Sequence, residues 1–216
     1  MMRLIIYDLD GTLADTRKDI SLAANHMLRT FGAPEVSEEE VAGYVGRGVF
    51  ELVKRCLRSE DEKKIEKGIK VYRKYYGEHL LDHTCLYPGA RNLLDYFRTR
   101  KQAVVTNKPG SFSKDILAGL GVGDYFTEVI GGDSKFPKKP DPAAVAALMK
   151  KEKTLPDQTL FIGDSCVDIE TSRRAGINVA IVSHGFDGEE ALNSASPEVM
   201  AKNFSELLVK IKDRKW

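Results

Sequence analysis

The stretch "LIIYDLDGTLADT", from Leu4 to Thr16, is the most informative part of this sequence. Four apolar residues typical of a buried strand run directly into two aspartates, Asp8 and Asp10, which one leucine separates. Neighbouring carboxylates repel each other, and holding them at the end of a buried strand is costly unless a cation or a bound proton offsets their charge. The stretch therefore predicts a functional site at the carboxyl end of the first strand.

The rest of the chain shows two different sequence patterns. Between residues 16 and 85, apolar residues recur at helical spacing, and one such face carries Ile20, Ala24, Met27, Leu28 and Phe31. From residue 87 onwards, short apolar segments alternate with helical ones; the candidate strands are "QAVVT", "TEVIGG", "TLFIG", "NVAIVS" and "PEVMA". We therefore predict an α/β fold with a doubly wound, mostly parallel sheet built from residues 1–15 and 86–216. Residues 16–85 are predicted to form an inserted α-helical cap domain, called the cap below.

Two helix starts inside the cap are marked by their spacing. Ser37 precedes Glu40 by three residues, and Ser59 precedes Glu62 in the same way. At this spacing a serine side chain and the third residue can satisfy each other's backbone amides. We expect a helix to begin after each serine.

Polar residues follow the candidate strands at the positions where an open parallel sheet binds ligands. They are Asp8 and Asp10, Thr106 and Asn107, Asp133 and Lys139, and Asp164 and Asp168. Several carboxylates meeting in one crevice need a compensating cation, and hard oxygen ligands suit Mg²⁺. Magnesium in turn suggests a phosphorylated substrate.

The amino-acid composition limits which kinds of molecule the protein is expected to bind. Lysine and arginine number 33 against 32 aspartates and glutamates, so the formal net charge of +1 gives no field that would attract nucleic acid or an anionic membrane. The N-terminal "MMRLIIY" is too short for a signal peptide, and no apolar run is long enough to span a bilayer. We expect a cytoplasmic protein that acts on a small molecule and carries reduced thiols; its oligomeric state, monomer or homodimer, stays open.

Four segments, in order, closely resemble the motifs of the haloacid dehalogenase (HAD) superfamily, within it the phosphoglycolate phosphatase-like branch with a helical cap. They are "DLDGTLADT", "VVTNK", the lysine of "KKPDP" and "GDSCVDIETSRRAG". The resemblance covers nearly the whole chain and implies a Rossmann-like core. It also implies that Asp8 is a nucleophile that becomes an aspartyl phosphate and that Asp10 is the general acid and base.

The resemblance implies roles for the remaining motif residues as well. Asp164 would join Asp8 and the backbone carbonyl of Asp10 around Mg²⁺, while Asp168 would support Lys139 or a metal-bound water. Thr106 and Lys139 would contact the phosphoryl group. Further expected substrate contacts are Asn107 and, in the cap loop "VGRGV", Arg47.

One further expectation follows from the sequence around Asp10 and does not depend on the resemblance. The hydroxyl of Thr12 lies close enough along the chain to orient Asp10 by a hydrogen bond. His184 and Cys166 are expected to be bystanders.

These residues favour a magnesium-dependent phosphomonoester hydrolase that acts on a small phosphorylated metabolite, with phosphoglycolate as the leading substrate. Two alternatives stay open at this point. A β-phosphoglucomutase-like phosphotransferase shares the acid pair and the helical cap. A phospho-accepting regulator of the receiver type also combines aspartate, threonine, lysine and Mg²⁺ on a doubly wound sheet.

Overall fold

The computed structural model describes residues 1–216. The strands are β1 (Leu4–Tyr7), β2 (Ala14–Asp15), β3 (Cys85–Leu86), β4 (Lys101–Val105), β5 (Glu128–Ile130), β6 (Thr159–Gly163), β7 (Asn178–Val182) and β8 (Val199–Ala201). The helices are α1 (Arg17–Thr30), α2 (Glu38–Ala42), α3 (Val49–Leu57), α4 (Glu62–Glu78), α5 (Ala90–Tyr96), α6 (Gly110–Gly119), α7 (Ala143–Glu152), α8 (Cys166–Ala175), α9 (Glu189–Ser194) and α10 (Phe204–Asp213). Each of the six strands predicted for the main sheet is present.

Six strands form one parallel sheet in the order β5-β4-β1-β6-β7-β8. Strand β1 lies in the middle, where Ile5 is in register with Gln102 of β4 on one side and Leu160 of β6 on the other. The predicted α/β class and parallel sheet are confirmed. Because all six strands run the same way, the residues that follow β1, β4 and β6 meet at one edge of the sheet.

Both faces of β1 are buried, which explains its unbroken apolar run. Ile5 and Tyr7 belong to the larger core cluster of 38 residues, whereas Leu4 and Ile6 point into a second cluster on the opposite face. All four side chains are fully buried. The sheet edge that carries Asp8 therefore rests on a strand that is packed from both sides.

The four helices α1 to α4 lie between the short strands β2 and β3, which pair antiparallel. Helix α3 packs closely on α4, because a Cβ atom at Gly68 would lie only 2.8 Å from Val53 and 2.9 Å from Leu57. That residues 16–85 behave as a separate domain stays a prediction.

The two chain connections between the cap and the sheet are tied together by Asp19 of α1. One oxygen of this buried carboxylate, Oδ2, accepts hydrogen bonds from the backbone N–H of His83 and Thr84, at 3.0 and 2.8 Å, and from the Thr84 hydroxyl at 2.7 Å. The start of α1 and the returning segment are therefore fixed to each other.

One of the two predicted helix starts is correct. The Ser37 side chain accepts a hydrogen bond from the Glu40 N–H at 3.1 Å, as expected. The second prediction is wrong: Asp61, not Ser59, caps α4 by accepting from Lys63 and Lys64. An aspartate directly before the helix is an equally good cap, and its charge also suits the helix N-terminus.

None of the helices combines the length and the apolar character that crossing a bilayer requires.

Candidate functional site

Three carboxylates gather at the edge of the sheet. Asp8 follows β1, Asp164 follows the neighbouring strand β6, and Asp168 lies in the first turn of α8. One oxygen from each lies within 4.8 Å of the others, and all three residues are buried. Such a group of hard oxygen donors has the composition of a site for a divalent cation.

Lys139 brings one positive charge into this group. Its ammonium lies 3.0 Å from Asp8 Oδ2 and 2.6 Å from Asp168 Oδ1, and its side chain is almost fully buried. The second oxygen of Asp168 accepts from the backbone N–H of Asp164 and from both the backbone and the hydroxyl of Ser165. Asp168 is therefore occupied with protein partners, which agrees with its expected role in supporting Lys139.

Asn107 was expected to contact substrate, but its side-chain amide forms hydrogen bonds with backbone groups instead. Its Oδ1 accepts from the Lys139 N–H at 2.9 Å, and its Nδ2 donates to the carbonyls of Lys139 and Gly46 at 3.0 and 2.8 Å. An amide offers two donors and one acceptor group, and all of these are engaged. Asn107 holds the Lys139 segment and the cap loop in place.

The side chain of Thr12 orients Asp164, not Asp10 as expected. Its hydroxyl donates to Asp164 Oδ1 at 2.6 Å, while the Phe186 N–H donates to Oδ2 at 2.9 Å. The turn after Asp10 permits this contact, since Gly11 has a φ of +82° and a Cβ atom there would overlap Asp164. Two loops thus fix the carboxylate of Asp164 from opposite ends.

Burial and mutual repulsion shift the titration of this group. Burial raises the pKa of Asp8 to about 6; Lys139 opposes that shift, and Asp168 and Asp10 add to it. Burial likewise raises the pKa of Asp164 well above its usual range, and the charges of Asp168 and Asp8 add to the effect. Since three carboxylates face a single ammonium, the group attracts a proton or a cation.

Asp10 is not part of the three-carboxylate group and has partners of its own. Its Oδ1 accepts from the Thr16 hydroxyl at 2.8 Å, and its two oxygens lie 2.9 and 3.2 Å from the ammonium of Lys108. Sequence reasoning gave Lys108 no role, although this lysine is part of the "TNK" segment that was singled out. Thr106, from the same segment, is buried beside the pocket that Asp8 and Asp10 line.

The pocket lies between the sheet edge and the cap. The cap contributes Ile20, Val45, Gly46, Gly48, Val49, Leu52, Tyr72, Arg73 and Tyr76; the sheet side contributes Asp8, Asp10, Thr106, Asn107, Lys108, Pro109 and Phe112. Its volume of about 50 Å³ is small beside the roughly 300–1,000 Å³ of pockets that bind drug-sized ligands. A compact ligand suits it.

The position of Arg47 does not support the expected substrate contact. The residue is exposed, and only its neighbours Gly46 and Gly48 line the pocket. Arg73 of α4, which is also exposed, lines it instead, and with Lys108 supplies the two cationic side chains of the wall. Arg73 was missed because it lies in the middle of a helix whose charged residues read as a solvated face.

Asp133 also lies outside the site. It is exposed, and its Oδ1 accepts the Gly110 N–H at 2.8 Å, at the start of α6. His184 stacks on Tyr87 with ring centroids 3.9 Å apart, and the Cys166 N–H donates to Asp187. None of these three side chains lines the pocket.

The sequence matches known proteins over most of its length. The family model described as haloacid dehalogenase-like hydrolase matches residues 5–182. A phosphoglycolate phosphatase from Vibrio parahaemolyticus is 36% identical over 96% of this chain and 95% of its own length. One from Pseudomonas putida is 34% identical over 95% of this chain and 78% of its own length.

A solved structure agrees with this grouping. The crystal structure of a predicted phosphoglycolate phosphatase from Haemophilus somnus has a TM-score of 0.91 to this chain at 31% identity, covering 96% of this chain and 97% of its own. The fold and the order of the acidic residues along the sheet edge are consistent with the family that the sequence matches. The chain belongs to the haloacid dehalogenase-like hydrolase family.

Proposed function

We propose that this protein is a magnesium-dependent phosphomonoester hydrolase that works through an aspartyl phosphate on Asp8. The observation that carries the proposal is the pairing of Asp8 with Lys139 at 3.0 Å, with Asp164 beside it and Asp10 on the pocket side. A carboxylate attacks phosphorus only where cations bring the two anions together. The names of the relatives, phosphoglycolate phosphatases, support the same activity.

The residues at the sheet edge fit a magnesium ion. Asp168 is committed to Lys139 and the Ser165 turn, so Asp8 and Asp164 are the carboxylates with lone pairs to spare, and the Asp10 carbonyl is the third proposed ligand. Magnesium bound there would offset the charge of the nucleophile and the phosphate.

The proposed reaction has two steps. In the first, a carboxylate oxygen of Asp8 forms a bond to phosphorus, the ester P–O bond breaks, and Asp10 gives a proton to the leaving oxygen. In the second, Asp10 takes a proton from a water whose oxygen attacks phosphorus, which releases inorganic phosphate and regenerates Asp8. The Lys139 ammonium and the Thr106 hydroxyl are proposed to hold phosphoryl oxygens throughout.

A short, anionic leaving group suits the pocket best. The space is small, and Arg73 adds a positive charge to its wall, while the Lys108 ammonium is paired with Asp10. Phosphoglycolate, whose leaving group is a two-carbon carboxylate, meets both conditions. This is the substrate we propose.

A panel of phosphorylated metabolites tests the proposed function. Phosphate release with Mg²⁺ is expected to be fastest for phosphoglycolate and to stop when EDTA removes the metal. A β-phosphoglucomutase-like enzyme would instead convert β-glucose 1-phosphate to the 6-phosphate, and a receiver-type regulator would stop at about one phosphate per chain. Either result would replace the hydrolase assignment.

Replacing Arg73 tests the proposed carboxylate contact. A charged hydrogen bond is worth about 1.5–3 kcal/mol, so Arg73→Ala should raise the KM for phosphoglycolate roughly 10- to 100-fold. The KM for p-nitrophenyl phosphate, which has no carboxylate, should change less than about twofold. Arg47→Ala is the matched control and should leave both constants near their original values; a larger effect at Arg47 than at Arg73 would contradict the assignment.

Replacing Thr12 tests the proposed metal ligand Asp164. Thr12→Val keeps the shape but removes the hydroxyl that fixes the carboxylate, and losing such a support typically weakens metal affinity about 10- to 100-fold. The Mg²⁺ concentration for half-maximal activity should rise accordingly. Thr16→Val is the control: it should lower turnover through Asp10 without moving the magnesium dependence. An unchanged dependence in Thr12→Val would count against Asp164 as a ligand.

A further inference from the structure

The carboxylate of Asp10 has a partner from a distant part of the sequence. The ammonium of Lys108 lies 2.9 Å from Oδ1 and 3.2 Å from Oδ2, so it contacts both oxygens, whereas Thr16 contacts only Oδ1. Both charged side chains are nearly buried, at 4% and 10% exposure. Water therefore does little to weaken this ion pair, and the carboxylate has little freedom to turn.

Lys108 is held in turn by the cap. Its ammonium donates to the Tyr76 hydroxyl at 2.6 Å and lies 4.4 Å from the centroid of the same ring. Tyr76 belongs to α4, and its ring meets Phe112 of α6 edge-on, with centroids 5.7 Å apart. Lys108 thus contacts a catalytic candidate on the sheet side and a cap residue at the same time.

We propose that Lys108, seated by Tyr76, is a positioning residue that aims the Asp10 carboxylate for proton transfer. The inference rests on the proposed function. An ammonium that touches both oxygens fixes the plane of the carboxylate, which sets the direction in which a proton leaves or arrives. Because Tyr76 supplies one of the contacts of Lys108, this arrangement is complete only when the cap is seated on the sheet.

A double-mutant cycle separates this role from direct substrate binding. Lys108→Met should lower kcat for phosphoglycolate about 100-fold, as expected when a reacting group is misplaced by about 1 Å, and should change KM less than about threefold. In an Asp10→Ala background, the same substitution should cost no more than about twofold. Lys114→Met, on the exposed surface of α6, is the matched control and should leave kcat and KM unchanged.

Two more conservative substitutions test whether the hydrogen bond between Lys108 and Tyr76 of the cap matters for activity. Tyr76→Phe keeps the ring and its contact with Phe112 but removes the hydroxyl that Lys108 uses, and should lower kcat severalfold with KM nearly constant. Tyr75→Phe removes a neighbouring hydroxyl that makes no hydrogen bond within the chain and should have no effect. This comparison remains decisive if Lys108→Met folds poorly.

Three results would overturn the inference. Independent, multiplying losses from Lys108→Met and Asp10→Ala would show that Lys108 does not act through Asp10. A change confined to KM would make Lys108 a substrate contact, and equal effects of Tyr76→Phe and Tyr75→Phe would remove the link to the cap. No turnover by the unmodified protein on any phosphate ester would remove the proposed function as well, whereas these three results in an active protein remove only the role of Lys108.

Discussion

Asp8→Asn should reduce turnover at least about 10⁴-fold, on the scale of the losses that follow removal of a catalytic nucleophile. The amide is nearly the same size as the carboxylate and can still accept the Leu9 N–H, so the fold should be kept. It carries no negative charge and is a poor nucleophile toward phosphorus. Of the neighbouring carboxylates, Asp168 is engaged by Lys139 and Ser165, and Asp164 is fixed by Thr12 and the Phe186 N–H. Phosphate release from phosphoglycolate at saturating Mg²⁺ is the measurement.

Asp133→Asn is the matched control for this substitution. Asp133 also follows a strand of the sheet, but it is exposed and serves only the start of α6. The activity of the Asp133→Asn protein should stay within about twofold of the original, since the asparagine oxygen can still accept the Gly110 N–H. The Asp8→Asn protein must have the mass of the undeamidated chain, because deamidation would restore the aspartate. Substantial turnover by that protein would contradict the nucleophile assignment.

Asp10→Ala should slow alkyl phosphates about 10²- to 10⁴-fold, the range that general acid–base catalysis contributes. A strongly basic alkoxide needs a proton as it leaves, whereas an aryl oxide hardly does. Formation of the phosphoenzyme from an aryl phosphate should therefore be slowed less than about tenfold. Because the attacking water also loses its base, the phosphoenzyme should then accumulate.

Rapid quenching with acid measures the two steps separately. Equal slowing of the first step for alkyl and aryl phosphates would mean that Asp10 does not protonate the leaving oxygen. Normal dephosphorylation in the variant would mean that another group activates the water.

The fold and the acidic cluster could be predicted because both follow from local pattern and strand order. An unbroken apolar run indicated that β1 is a buried strand, and parallel strands bring Asp8 and Asp164 to the same sheet edge. Lys139 could be placed at this edge because it follows a candidate strand, but its role there was expected only from the resemblance to a known motif.

Side-chain partners were harder to predict because they depend on which loops meet in space. Thr12 lies two residues from Asp10 in sequence, yet its hydroxyl bonds to Asp164, which is 152 residues away. Lys108 meets Asp10 across 98 residues and Tyr76 across 32. The first two pairings depend on which loops meet at the sheet edge, and the contact with Tyr76 depends on how the cap packs on the sheet.

The packing of the cap on the sheet also explains why Arg73, and not the expected Arg47, lines the pocket. The loop that carries Arg47 approaches the pocket with its backbone, through Gly46 and Gly48, and leaves the arginine side chain exposed. Arg73 reaches the pocket because one face of α4 turns toward it together with Tyr72 and Tyr76. Composition and helical spacing do not show which charged residue of a long helix lies next to a cavity.

Chemical trapping of the phosphoenzyme tests the central claim most directly. Asp10→Ala protein is mixed with an aryl phosphate and Mg²⁺, quenched in acid within milliseconds, and treated with borohydride, which reduces an acyl phosphate to the alcohol. Peptide mass spectrometry should then find homoserine at position 8 and intact aspartates at 164 and 168. Homoserine at another position, or none while the aryl phosphate is still consumed, would contradict an aspartyl phosphate on Asp8.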